Sequence, residues 1–183
     1  MTIRSIPAVR SRPIPGLLLR LAAALLLTLF AFVLAPLSPS PADAKPASGL
    51  NFRRPPAGAA GDLVRAVNAF RAAQGLPALS WNDKLAAAAS AFARDLDASK
   101  TFGHVGSKGS VFTGRMRAVG YFLCAGGENV ARSFPAAAGV VDGWRTSRGH
   151  RANMLGKQFN EAGAGYSNLN GRPVWVLDLG RRC

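Results

Sequence analysis

Val174-Trp175-Val176-Leu177-Asp178-Leu179 is the stretch on which the fold turns. In an extended chain alternate side chains leave opposite faces. Trp175, Leu177 and Leu179 therefore point one way, and Val174 and Val176 the other. A strand apolar on both faces must be covered on both faces. Upstream, Ala162 to Ser167 has a second strand pattern, and Asn168-Leu169-Asn170-Gly171-Arg172 between the two contains Asn-Gly, a strong hairpin signal. The covering helices come earlier in the chain. Asp62 is the expected cap of a helix whose Leu63, Val67 and Phe70 share a face, with Gly75 and Pro77 ending it. Ser80 followed by Asp83 resembles a capping box, opening a helix with Leu85, Ala89, Phe92 and Leu96 on one stripe. A short helix is expected from Val111 to Ala118, stopped by Gly120. Ser133-Phe134-Pro135 opens another, with Ala137, Val141 and Trp144 along one side. Helices on both faces of a small antiparallel sheet make an α+β fold, a three-layer α-β-α sandwich.

Residues 1–44 are set apart from that domain. Arg4, Arg10, Arg12 and Arg20 precede an apolar run from Leu21 to Leu37, and Ala42-Asp43-Ala44 supplies small residues for cleavage. This order is that of a secretory signal peptide cut after Ala44. An uncleaved membrane anchor is the rival reading, because the run approaches spanning length. Pro36, Pro39 and Pro41 interrupt it before any stop-transfer charges, and no cysteine follows it to carry a lipid. Membrane contact is thus expected only through this leader, if it is kept. Residues 45–61, rich in Pro, Ala and Gly, read as a flexible lead-in, and residues 62–183 as the folded domain. The expected localisation is extracytoplasmic, either secreted or periplasmic.

The formal net charge is +14, with 23 Lys and Arg against 9 Asp and Glu. Such a field favours anionic partners, including lipid headgroups and cell-envelope polymers. The basic residues are scattered, and no basic segment is interleaved with aromatics, so nucleic acid is not an expected partner. Cys124 and Cys183 are the only cysteines. Export places them in an oxidising compartment, where one intramolecular disulfide is the economical reading. The alternatives are two free thiols or an intermolecular bond. Closing a loop of roughly 60 residues would contribute on the order of 4 kcal/mol in the chain-entropy description.

The chain has two histidines, each in a short distinctive segment: Phe102-Gly103-His104-Val105-Gly106 and Gly149-His150-Arg151-Ala152-Asn153-Met154-Leu155. Gly126-Gly127-Glu128-Asn129-Val130 lies between them. Two imidazoles and a carboxylate, if brought together, suit metal binding or proton handling. Each also has a plainer role available. A histidine in a Gly-rich turn can simply bond backbone groups. Glu128 can tie down a loop by accepting backbone N–H bonds. Ser147 can cap the turn into Gly149, and Asn153, one helical turn past His150, can steady the site or bond backbone.

Collinear stretches carry a family resemblance. They are Asn68-Ala69-Phe70-Arg71, Gly75 to Asn82, Gly103-His104, Arg115 to Tyr121, Gly127 to Ala131, Trp144 to Leu155, Ala162 to Tyr166 and Trp175 to Gly180. Together they resemble the CAP superfamily (cysteine-rich secretory, antigen 5 and pathogenesis-related proteins, or SCP domains), and in particular its exported bacterial members. The resemblance implies a three-layer α-β-α fold around a cavity lined by two histidines and two glutamates. Carried over, His104, Glu128 and His150 match three of those positions. The fourth, a glutamate three residues after a tryptophan, falls on Ser147. Were a Zn²⁺ bound by the remaining three, a water position would stay open, as in catalytic zinc sites.

Three functions follow. The favoured one is a non-catalytic exported binding module, whose cavity (His104, Glu128, His150, with Ser147 and Asn153 beside them) takes a lipid or cell-envelope ligand. The second is a metal-assisted hydrolase using the same trio. A Ser147–His150 pair is its weaker variant, since it lacks the G-x-S-x-G elbow. The third is a structural or adhesive envelope protein that holds anionic polymer on its basic surface.

Overall fold

A computed structural model describes residues 52–183. The signal-peptide expectation for 1–44 and residues 45–51 of the lead-in fall outside the described residues. The first helix, α1, spans Ala59–Ala72 and buries Leu63, Val64, Val67 and Phe70, the spacing of one helical face. It begins three residues before Asp62, which sits in its first turn rather than at its cap, and no side chain caps this end. The end of the lead-in is accordingly not loose. Arg65 Nη1 donates to the carbonyls of Pro55 and Pro56 at 3.1 and 2.8 Å, folding the prolines back onto the helix. Gly75, at φ +69°, ends the segment as its spacing implied.

Strand β1 is short, Ser80–Trp81, and helix α2 spans Asp83–Ala98. The cap of α2 is Asn82, whose side chain accepts from the N–H groups of Lys84 and Leu85. The capping-box expectation at Ser80 fails because Ser80 is taken by the sheet, paired with Glu161. Helices α3 (Phe112–Ala118), α4 (Ala137–Thr146) and α5 (Arg148–Met154) follow. Among the described residues no helix is long and apolar enough to cross a membrane.

The other strands are β2 (Leu123–Arg132), β3 (Glu161–Ser167) and β4 (Val174–Arg182). The sheet order is β1-β3-β4-β2, antiparallel except for the β1–β3 pair. Both faces of β4 are buried as its pattern demands. Trp175, Leu177 and Leu179 pack with Leu63 and Val67 of α1 and Val140 and Trp144 of α4. Val174 and Val176 pack with Val130 and with Phe92, Ala93 and Leu96 of α2. The outcome is the three-layer α-β-α sandwich. On the α2 side, β3 presents Gly163 and Gly165 between Glu161 and Ser167, and α2 lies directly on the backbone of the two glycines.

Cys124 and Cys183 form the disulfide, with Cα atoms 4.8 Å apart, and it ties the chain's last residue to the start of β2. Replacing both with serine is expected to cost about 3 kcal/mol. Urea unfolding of the oxidised protein and the double variant checks this, and equal midpoints would contradict it.

Candidate functional site

Glu128 stands in the middle of β2, opposite Asp178 of β4, and shares with it the sheet face that carries Val130 and Val176. Only 1% of its side chain is exposed. Burying a carboxylate at that depth requires partners, and two side chains supply them. His104, from the loop between α2 and α3, places Nδ1 2.9 Å from Glu128 Oε1. Arg115 of α3 donates from Nη2 to Oε2 at 2.5 Å. The carboxylate sets the tautomer of His104, because Nδ1 must carry the hydrogen that Oε1 accepts. The ring's Nε2 has no hydrogen-bond partner among the described residues, and the side chain is 54% exposed.

Arg115 is built in rather than draped over the surface. Its side chain is 10% exposed, and its guanidinium carbon lies 3.5 Å from the centre of the Phe92 ring. It also donates to the carbonyl of Ser110 at 2.7 Å and to that of His104 at 3.3 Å. One guanidinium thus fixes both the carboxylate and the loop that delivers the imidazole. Glu128 is held by side chains here, not by the backbone N–H bonds of the plainer reading.

Asp178 completes the buried layer. It is 1% exposed, and neither carboxyl oxygen has a hydrogen-bond partner. Burial, and then the charge of Glu128, push its carboxyl well above the usual carboxylate range, with Arg115 pulling the other way. The neutral acid is the form that fits, since Glu128 beside it already carries the charge that Arg115 meets. Two carboxylates at this depth beside one guanidinium could not both carry charge cheaply.

His150 sits on α5, half-buried and tilted against Trp144, with ring centres 5.9 Å apart. Burial, and then the charge of His104, lower its pKa, so the ring is neutral at neutral pH. An asparagine pair laces its helix to β2. Asn129 Nδ2 donates to the His150 carbonyl at 3.0 Å. Asn153 Nδ2 donates to the Glu128 carbonyl at 3.1 Å and to Asn129 Oδ1 at 2.9 Å. Asn153 therefore bonds backbone, the plainer of the two roles raised for it. Ser147 joins α4 to α5 and occupies the cap position of α5, but its hydroxyl makes no capping bond. Among the described residues no hydrogen bond links it to His150.

An open groove of about 510 Å³ adjoins His150. Phe102, Val130, Phe134 and Trp144 give it an apolar wall, and Arg132 and Arg172 stand at its rim. Arg132 is occupied with the carbonyls of Leu96 and Thr101, which leaves Arg172 as the rim cation without a hydrogen-bond partner among the described residues. Ser133, also in the wall, holds a left-handed backbone at φ +68°, a strained state for a non-glycine residue. His104 and Glu128 do not line this groove.

As arranged, the trio does not fit a metal ion. Among the described residues no three His, Cys, Asp or Glu side chains are placed to hold one. Both Glu128 oxygens are engaged, one of them by a cation. A Zn²⁺ on that carboxylate would lie roughly 4 Å from the guanidinium and be repelled by on the order of 8 kcal/mol at an effective dielectric of about 20. Sequence reading passed over Arg115 as a partner of Glu128, and also Asp178 and Asn129. The one signal for Asp178 was a lone acid inside an otherwise apolar strand.

Residues 64–179 match the CAP family, described as the cysteine-rich secretory protein family. The chain belongs to that family. Among curated proteins it is 34% identical over 115 residues to the uncharacterized protein YkwD of Bacillus subtilis (strain 168), covering 62% of this chain and 44% of that one. The uncharacterized membrane protein YlbC of the same strain is 27% identical over 103 residues, covering 56% of this chain and 30% of that one. The chain thus spans less than half the length of these curated relatives. Among solved structures, an extracellular SCP-domain protein from Bacillus anthracis superposes with a TM-score of 0.64 at 24% identity, over 68% of this chain and 41% of that one. An outer surface protein from Borrelia burgdorferi superposes with a TM-score of 0.62 at 20% identity, over 66% of this chain and 90% of that one. These likenesses show the shared CAP fold.

Proposed function

We propose that this chain is an exported CAP domain that acts without catalysis, holding a lipid or anionic cell-envelope component in the groove beside His150. The observation that carries the reading is the state of Glu128. With one oxygen on His104, the other on Arg115 and its side chain 1% exposed, it is paired and shut off from solvent, so it serves as an anchor rather than a base. The groove has the composition of a binding surface, with an aromatic wall and a cationic rim. The leader-like first 44 residues and the disulfide agree with a place outside the cytoplasm. The extracellular Bacillus anthracis protein and the outer surface protein of Borrelia burgdorferi, which share the fold, agree with it too.

A fluorescent anionic acyl probe tests this directly. Phe134→Ala and Arg172→Ala are each expected to weaken its binding about tenfold, the effect of losing one anchor from a small site. Parallel assays on ester and peptide substrates are expected to show no turnover. Turnover that disappears in His150→Ala would establish the hydrolase instead. Retention on envelope fragments that salt abolishes and neither groove variant alters would favour the adhesive reading.

A further inference from the structure

We infer that Arg115 is the resident cation of this site: its guanidinium takes the position on Glu128 that a divalent metal would need, and the His104–Glu128 pair acquires metal affinity only when that guanidinium is removed. The inference concerns the buried cluster and stands apart from the choice of groove ligand. Three observations carry it. First, the contact is not a surface ion pair that a competing ion could displace at small cost. Arg115 is nearly enclosed, stacked on Phe92, and bonded to the carbonyls of Ser110 and His104 as well as to Glu128. Swinging it away would strip those carbonyls and leave a guanidinium buried without partners.

Second, the charge is already balanced. Glu128 brings one negative charge and Arg115 one positive, and the two are directly hydrogen-bonded. A dication on Glu128 would stand beside a guanidinium that already neutralises that acid. Third, the imidazole nitrogen that faces the acid is taken, and the open Nε2 lies on the far edge of the ring, so His104 and Glu128 do not converge on one ion. His104 spends Nδ1 on Glu128, and the position where the family pattern places a second glutamate holds Ser147, which offers no charge. Arg115 is also the positioning residue for the loop, since it grips the backbone of His104 while holding the acid that orients its ring.

The test is metal binding by the tag-free protein, followed by equilibrium dialysis. The native chain is expected to show no saturable Zn²⁺ site at or below about 0.1 mM, because no set of three ligands is free. Arg115→Met keeps an unbranched side chain against Phe92 and is expected to bind Zn²⁺ at least about tenfold more tightly. The gain should vanish in the Arg115→Met, Glu128→Gln double variant. Native protein that binds one Zn²⁺, with an affinity lowered by Glu128→Gln, would overturn the inference. So would a folded Arg115→Met protein that gains nothing. If Arg115→Met does not fold, Co²⁺ titration of the native protein decides the matter. With only two histidines in the chain, their ring resonances are separable by NMR. Unchanged His104 signals at equimolar Co²⁺ support a closed site, and selective broadening at His104 refutes it.

Discussion

Gly163→Ala is expected to destabilise the protein by at least about 4 kcal/mol, enough to unfold many domains of this size. A Cβ at Gly163 would lie 2.1 Å from the backbone nitrogen of Ala86 and 2.5 Å from the carbonyl carbon of Leu85. Both are main-chain atoms, so no rotamer change relieves the clash. Helix α2 would have to lift from β3, separating Phe92 and Leu96 from Val130 and Val176. Gly149→Ala is the control. It lies in α5, where an added Cβ would meet nothing within 4 Å and the backbone has no positive φ, and it is expected to be neutral or to stabilise by about 0.5 kcal/mol. Urea midpoints of the two variants measure the contrast. A cost below about 1 kcal/mol at Gly163 would mean that α2 does not seat on β3 as described.

Glu128→Ala is expected to cost about 3–5 kcal/mol, the penalty for leaving a buried guanidinium without its acid. The double variant Arg115→Met, Glu128→Ala should recover a large part of that loss, since removing both charges leaves none stranded. Strong coupling in this cycle is the signature of a buried pair, and additive losses would refute it. Hydrogen exchange provides a second readout. The segment around His104 should lose protection in Glu128→Ala, because Glu128 and Arg115 together hold that loop.

Much of the architecture could be read locally. Leu85, Ala89, Phe92 and Leu96 recur at helical spacing, and α2 buries all four. Val174 to Leu179 alternates with strand period, and its two apolar sets meet two different helical layers. Where the reading slipped, a distant partner made the decision. Ser80 and Asn82 are both good caps, and Asn82 won because β1 pairs Ser80 with Glu161, a residue far along the chain. The early start of α1 has the same character, since it depends on Arg65 reaching back to the prolines.

The site divides along the same line. Gly-His, Gly-Glu-Asn and Gly-His-Arg-x-Asn single out His104, Glu128 and His150 as candidates, because residue type and spacing are properties of the chain. Nothing in the order of residues marks Arg115, among 23 basic side chains, as the partner of Glu128, or says that Glu128 will meet a cation before it can meet a metal. Periodicity is local, so it declares which face of each element is buried. The partner of a buried charge is instead selected by packing among α2, α3, β2 and β4, where the energy of an ion pair depends on depth and on separations of a few ångströms.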